Sequence, residues 1–193
     1  MLFNKYVVYY LFMPLITIIR HSLTTANEQG LLMGSRLNSP LSEKGKALAR
    51  SKAQALKQEG FVLEKVYVSK LLRTKQTAEI ILEELGLDIE IQELEGLNER
   101  DFGLYDGKLL QELLDGFDAL GPNPPTVESV DHFVARVVAC LDRIKNESKN
   151  STLVVTHNNT ANVMKAALFN PENLQRFWET PNLEYCEGLT YKF

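Results

Sequence analysis

The 193-residue chain contains little cysteine and little histidine, with two residues of the first kind and three of the second. Cys140 and Cys186 lie far apart and form no CxxC or metal-ligand spacing, so we expect two free thiols rather than a disulfide. No HExxH sequence occurs, which disfavours a metallohydrolase. We expect the protein to work without a bound metal and without any other cofactor.

Basic residues are also too few for a broad basic surface. The chain has 21 lysines and arginines against 25 aspartates and glutamates, for a net charge of −4. This balance excludes the nucleic-acid-binding proteins that depend on such a surface, although a cleft can still concentrate a few cations around an anion. The hydrophobic share of 45% is that of an ordinary globular chain with one sizeable core.

One long apolar run is present, YVVYYLFMPLITII at residues 6–19. It is shorter than the roughly 20 residues that a membrane-spanning helix needs, and no small-residue cleavage site follows it. Pro14 divides the run, which continues directly into Arg20 and His21. We therefore expect residues 1–12 to be an appendage, residues 13–193 to be one domain, and the protein to be cytoplasmic without stable membrane association. An N-terminal membrane anchor is the alternative.

Strand and helix patterns alternate along the rest of the chain. Short apolar runs predict strands at 15–19, 65–69, 88–92 and 151–156, with a last strand within 183–193. Helical periodicity predicts helices at 42–59, 71–85, 127–144 and 159–169. Such alternation is typical of a three-layer α/β/α fold with a mostly parallel sheet. Residues 94–126, which are rich in glycine and contain GPNPP, are predicted to form an irregular rim of the cleft.

Two of the three histidines come directly after predicted buried strands, His21 after the first and His157 after the last of the parallel ones. Ligands of open α/β sheets bind outside the carboxyl ends of the strands. His132, in contrast, lies on the long amphipathic helix, where a structural or solvated side chain is expected. Arg20 precedes His21, and Arg73 follows the second strand closely.

These residue types suit attack on a phosphoryl group. A neutral imidazole can be the nucleophile, with its other ring nitrogen held by a backbone carbonyl. The arginines Arg20 and Arg73 can clamp phosphate oxygens with forked donors. His157 can donate one more hydrogen bond, and the helix that starts after it offers backbone N–H groups to an anion.

Five segments, in the same order, resemble the motifs of the histidine phosphatase (phosphoglycerate-mutase-like) superfamily. They are RHSLTTAN at 20–27, GSRLNSPLSEKG at 34–45, SKLLRTKQTA at 69–78, LNERDFGLYDG at 97–107 and VVTH at 154–157. The resemblance covers roughly residues 15–165. It implies the phosphoglycerate mutase-like fold and a metal-independent, acid-type phosphatase that acts through a phosphohistidine.

The resemblance also implies a role for each matching residue. His21 would be phosphorylated, Arg20, Arg73 and His157 would hold the phosphoryl group, and Asn27 would add a hydrogen bond to it. Glu99 would protonate the leaving alcohol and then assist the attack of water. The catalytic set is thus predicted to be His21, Glu99, His157, Arg20 and Arg73. The phosphate-binding set is Arg20, Asn27, Arg73, His157 and Asn158.

Three departures from the motifs bear on activity. Ser22 and Asn158 stand where the family has glycine, and Leu23 stands where it has an acidic or amide residue. Side chains at 22 and 158 could crowd the pocket. These departures motivate one alternative, a weakly active module that binds a phosphorylated ligand or a partner.

A phosphoglycerate mutase is the other alternative. The short separation of Glu99 from His157, together with Met33 in place of a small hydroxyl residue, favours hydrolysis. A P-loop is not supported, because Pro40 stands at a glycine position, and no GxSxG elbow occurs. We expect a small phosphorylated metabolite as substrate, while its identity, and the choice between a monomer and a homodimer, stay open.

Overall fold

The computed structural model describes residues 14–111 and 126–193. The predicted appendage at 1–12 and part of the predicted rim at 94–126 lie outside these ranges. Within them, five strands form one sheet: β1 (Leu15–Arg20), β2 (Lys65–Val68), β3 (Ile91–Glu93), β4 (Ser151–Thr156) and β5 (Gly188–Lys192).

The sheet has the order β3-β2-β4-β1-β5 and is parallel except for β5, which pairs antiparallel with β1. Strands β1 and β4 lie in its interior, and their runs of β-branched residues are buried on both faces. The mostly parallel sheet that the alternating pattern predicts is confirmed. Strand β3 is shorter than predicted, because only Ile91–Glu93 pairs with the four-residue strand β2.

Helices cover both faces of the sheet: α1 (Thr25–Glu28), α2 (Glu43–Gln58), α3 (Leu72–Leu85), α4 (Val130–Glu147) and α5 (Asn158–Phe169). Three 3-10 segments add Glu95–Leu97, Gly103–Tyr105 and Pro171–Glu179. Helix α4 begins at 130 rather than at 127. The reason is that the Ser129 hydroxyl accepts a hydrogen bond from the His132 N–H and so caps the helix there.

Alternate side chains of the central strands pack on opposite helical layers. Ile16, Ile18 and Val154 belong to the core under α4 and α5. Ile19 and Val155 belong to the core under α2 and α3. This period-two division fills both faces of the sheet and leaves the carboxyl ends of β1, β2 and β4 at one edge. In the described ranges, none of the helices combines the length and apolarity needed to cross a membrane.

Candidate active site

The two predicted strand-end histidines meet at this edge. Arg20 of β1 is paired in register with Thr156 of β4, and the His21 N–H donates to the Thr156 carbonyl at 2.8 Å. As a result, the rings of His21 and His157 lie edge to face, with 5.2 Å between their centroids. The sheet register therefore brings together two residues that are far apart in sequence.

The ring of His21 is held in one orientation. Its Nδ1 lies 2.7 Å from the Ser22 carbonyl, which can only accept, so Nδ1 carries the proton and Nε2 keeps its lone pair. The side chain is 5% exposed. Burial, followed by the charge of Arg73, lowers the pKa of His21 well below its usual value. The predicted bond to a backbone carbonyl is present, and the ring is neutral at physiological pH.

Ser22 does not crowd this ring. Its hydroxyl donates to the Gly45 carbonyl at 2.6 Å, and its N–H donates to the Thr77 hydroxyl at 3.0 Å. The side chain is fully buried against α2. The departure from glycine at position 22 is thus absorbed by the interior of the protein, contrary to the expectation of crowding.

Arg20 lies over an aromatic ring that sequence reasoning did not select. Its guanidinium carbon is 4.0 Å from the centroid of the Tyr185 ring, and its Nη1 donates to the Leu183 carbonyl at 2.7 Å. The Nε atom is buried without a hydrogen-bond partner among the described residues. A buried cationic donor that is not paired is suited to an anion. Nothing local in residues 183–193 distinguishes Tyr185 from a strand residue.

Arg73 and His157 lie behind His21 and are fully buried. The Arg73 Nη atoms donate to the carbonyls of Leu37 and Gly34, and its Nε donates to His157 Nδ1 at 3.1 Å. His157 Nε2 lies 2.8 Å from the Ser69 hydroxyl. Burial lowers the pKa of Arg73 to about 10, which leaves it charged at neutral pH. These two predicted phosphate ligands lie behind the nucleophile, and their polar atoms are hydrogen-bonded to protein groups.

Glu99 is 4% exposed, and its carboxyl group lies at the start of α5. Its Oε1 accepts from the Arg100 N–H at 2.9 Å, and its Oε2 accepts from the Asn159 N–H at 3.1 Å. Burial raises the pKa of Glu99, although these hydrogen bonds and the charge of Arg73 oppose the shift. The helix N-terminus predicted to face a ligand anion is therefore engaged, at Asn159, by this carboxyl group.

The segment that carries Glu99 is held by Arg136 of α4, which sequence reasoning did not identify. Arg136 Nη1 donates to the carbonyls of Gly96 and Asn98, and Nη2 donates to that of Glu99 at 3.0 Å. Glu128 holds the guanidinium with two hydrogen bonds of 2.7 and 2.8 Å. His132 is exposed beside Glu128, in line with its predicted solvated role.

Two asparagines of the predicted phosphate-binding set line the cleft. Asn27 caps its own helix: its Oδ1 accepts from the N–H and the hydroxyl of Thr24. Asn158 Nδ2 donates to Asn182 Oδ1 at 2.8 Å. Both side chains are thus held by the fold at the rim of the pocket.

These groups surround a cleft of about 240 Å³. Its lining residues are Arg20, His21, Asn27, Leu31, Leu32, Met33, Glu99, Phe102, Leu110, Asn158, Asn159 and Tyr185. Cys140 and Cys186 are free thiols, buried away from this lining. Within 14–111 and 126–193, no three histidine, cysteine or carboxylate side chains are grouped so that they could hold a metal ion.

Comparison with known proteins identifies the family of the chain. The family model of the histidine phosphatase superfamily (branch 1) matches residues 16–189. A 2,3-bisphosphoglycerate-dependent phosphoglycerate mutase of Parvibaculum lavamentivorans is 44% identical over 94 residues, which are 48% of this chain and 44% of the relative. A mutase of the same name from Methylobacterium radiotolerans is 30% identical over 80% of this chain and 78% of its own length.

The chain is also similar to phosphatases and to solved structures. Fructose-2,6-bisphosphatase TIGAR of Bos taurus is 33% identical over 63% of this chain and spans 47% of its own length. The chain thus spans less than half of two of these curated relatives. The crystal structure of phosphoglycerate mutase from Bacillus anthracis superimposes with a TM-score of 0.79 at 20% identity, covering 95% of this chain and 90% of that one. At that identity the likeness establishes the fold.

Proposed function

Since the chain belongs to the histidine phosphatase superfamily, we propose that it hydrolyses phosphomonoesters of small metabolites through a phosphohistidine at His21, without a metal. The observation that carries the proposal is the pairing of two groups in one cleft. His21 presents a neutral ring with a free Nε2 lone pair, and Glu99 is a buried carboxyl group with a raised pKa. A nucleophile and a proton donor are the two groups that the first step needs.

In the first step, His21 Nε2 forms a bond to phosphorus while the bond to the ester oxygen breaks. The leaving oxygen takes the proton of Glu99. In the second step, water attacks the phosphohistidine, the P–N bond breaks, and Glu99 accepts a proton from the water. The two steps together return the enzyme to its starting charge and protonation state.

The negative charge of the phosphoryl group is balanced by two arginines. Arg20 lines the cleft and has an unpaired Nε, whereas Arg73 acts from behind through its charge. Their charges are preorganised, because Tyr185 and Leu183 hold Arg20, and main-chain carbonyls hold Arg73. We propose that Asn27 and Asn158 complete the phosphate site, that His157 supports it from behind through its hydrogen bond with Arg73, and that the protein acts in the cytoplasm on a small soluble ester.

The test is phosphate release from 4-nitrophenyl phosphate in the presence of a chelator, together with trapping of the phosphoenzyme. Wild-type protein should release phosphate and form an acid-labile phosphohistidine. His21→Ala should lose both signals, whereas His132→Ala, which changes an exposed histidine, should retain both. Undiminished turnover in His21→Ala would contradict the mechanism.

A mutase is the second candidate, favoured by the relatives of that name. A mutase and a hydrolase share the first step and differ in the acceptor. Chasing the labelled phosphoenzyme with phosphoglycerate separates them: a hydrolase passes the label to water, and a mutase passes it to the added acceptor. One of the three substitutions that suggested a binding module no longer supports that alternative, because the Ser22 side chain points away from the cleft.

A further inference from the structure

Five apolar residues line part of the cleft, beside its asparagines and Tyr185. Leu31, Leu32 and Met33 follow α1, and Phe102 and Leu110 come from the segment after Glu99. Apolar lining of this kind favours a ligand portion that is itself apolar. The part of a substrate that extends beyond its phosphoryl group would lie against these five residues.

Cations are confined to the phosphoryl end. Among the described residues, Arg20 is the one basic side chain that lines the cleft, and Arg73 lies buried behind it. A phosphate monoester carries nearly two negative charges at neutral pH. These two arginines therefore balance the transferred group and leave no positive charge for a second anion.

Two further cations, on the segments that follow α1 and Glu99, contact other side chains. Arg36 forms a forked pair with Asp101, at 2.7 and 3.0 Å. Lys108 lies over the ring of Tyr105, with its Nζ 5.4 Å from the ring centroid. Neither residue lines the cleft, and each contacts another side chain.

The sequence limits the number of cations that residues outside the described ranges could add. Residues 112–125 contain Glu112, Asp115 and Asp118 but neither lysine nor arginine. Residues 1–13 contain a single basic residue, Lys5. Residues 112–125 therefore hold no lysine or arginine that could pair with a carboxylate or a second phosphate.

We propose that the site takes phosphomonoesters whose leaving group is an uncharged alcohol with an apolar ring or chain. This inference rests on the proposed function and narrows its substrate class. A leaving group with a carboxylate or a second phosphate would place an unpaired charge against leucine and phenylalanine, which is costly. Phosphorylated hydroxy acids and sugar bisphosphates are accordingly poor substrates.

The first test compares two esters that differ only in one remote charge: 2-phenylethyl phosphate and 2-(4-carboxyphenyl)ethyl phosphate. Their leaving alcohols have similar acidity, so their intrinsic reactivity is matched. We expect kcat/KM to favour the neutral ester by at least about tenfold, on the scale of ordinary pocket discrimination.

A pair of adjacent leucines provides matched variants. Leu109 and Leu110 are exposed to the same degree, 43% and 44%, but only Leu110 lines the cleft. Leu110→Arg supplies the missing cation and should reduce or reverse the preference for the neutral ester. Leu109→Arg adds the same charge outside the lining and should leave the ratio of the two esters near the wild-type value. Thermal unfolding of both variants checks that they are folded.

The outcomes separate this inference from the proposed function. Equal or better turnover of the carboxylated ester by the wild type, with a phosphohistidine at His21, overturns the substrate class alone. The same change of ratio in both arginine variants also overturns it, because the effect would then be one of general charge. If neither ester is hydrolysed and no phosphohistidine forms, the proposed function fails and the substrate class with it.

Discussion

The guanidinium of Arg136 lies between the carboxylate of Glu128 and the main chain of Glu99. Its Nη2 donates to Glu128 Oε2 at 2.8 Å and to the Glu99 carbonyl at 3.0 Å. Helix α4 thereby holds the segment that carries the proposed proton donor. The hydrogen bonds from Arg136 to the segment of Glu99 end on main-chain oxygens, so they set the position of Glu99 without touching its carboxyl group.

Arg136→Met should consequently slow the step that Glu99 serves. A displacement of about 1 Å in a catalytic group can cost on the order of 100-fold, so we expect kcat for an alkyl phosphate to fall about 10- to 100-fold while KM changes less. An aryl phosphate, whose leaving group needs no proton, should form the phosphoenzyme at a rate closer to that of the wild type. Stopped-flow and steady-state kinetics on both esters measure this difference.

The control for that variant is Arg143→Met. Arg143 lies on the same helix and is exposed, and its hydrogen bond to Glu147 stays within α4. It should keep wild-type kinetics on both esters. Equal losses in the two variants would show that helix α4 was perturbed as a whole.

Glu99→Gln should separate the two chemical steps. The amide cannot donate an acidic proton, so turnover of an alkyl phosphate should fall by about 10²- to 10⁴-fold. With 4-nitrophenyl phosphate, the first step should survive and the hydrolysis of the phosphohistidine should slow. Rapid mixing should then show a burst of one nitrophenol per site, and a variant that shows neither burst nor label would contradict the assignment.

The pH dependence of kcat/KM follows from the two shifted groups. Burial lowers the pKa of His21, so the neutral nucleophile persists below pH 6.5 and the acid limb lies there. Burial raises the pKa of Glu99, so the protonated donor persists above its usual range and is lost as the pH rises through the shifted value. We expect a bell-shaped profile between these two limbs, measured with an alkyl phosphate.

The alkaline limb can be assigned with the same variant. In Glu99→Gln, the residual kcat/KM for the alkyl phosphate should lose its alkaline limb and keep its acid limb. An alkaline limb that is unchanged in the variant would assign it to another group.

Gly45 allows a test of the contact between α2 and the segment after His21. A Cβ built on Gly45 would lie 1.9 Å from the Leu23 carbonyl oxygen. Alanine normally stabilises a helix relative to glycine, so a loss here would report the collision. We expect Gly45→Ala to lower the free energy of unfolding by about 1–3 kcal/mol, as other overpacked sites do.

Denaturant titration measures that change, with Lys44→Ala as the control. Lys44 is the exposed neighbour on the same helix, and its replacement should stay within about 0.5 kcal/mol of the wild type. A Gly45→Ala protein as stable as the wild type would mean that the backbones of α2 and Leu23 can move apart without loss of stability.

Local patterns were sufficient to predict the strands and the four longer helices, although several boundaries differ by one to three residues. The runs at 15–19 and 151–156 are β-branched and continuous, so the parallel strands and the positions of His21 and His157 follow from them. Helix starts depend on a cap: the Ser42 hydroxyl caps α2 at its predicted start, whereas the Ser129 hydroxyl caps α4 so that it begins three residues after its predicted start at 127.

What local patterns missed are contacts between distant segments. Arg136 reaches main-chain oxygens about 40 positions away, and Tyr185 lies under an arginine from the other end of the chain. Neither has a spacing that marks it. The direction of the Ser22 side chain was likewise decided by α2, which provides the carbonyl of Gly45 as an acceptor.

The sequence by itself determined the alternation of layers and the identity of the nucleophile candidate, because periodicity and motif spacing are properties of short segments. The tertiary structure decided which site residues line the cleft and which lie behind it. It placed Arg20 at the cleft surface and Arg73 behind it, and it buried Glu99 enough to raise its pKa. Burial and the pairing of charges depend on every segment packed around a group, so they exist only once the chain has folded.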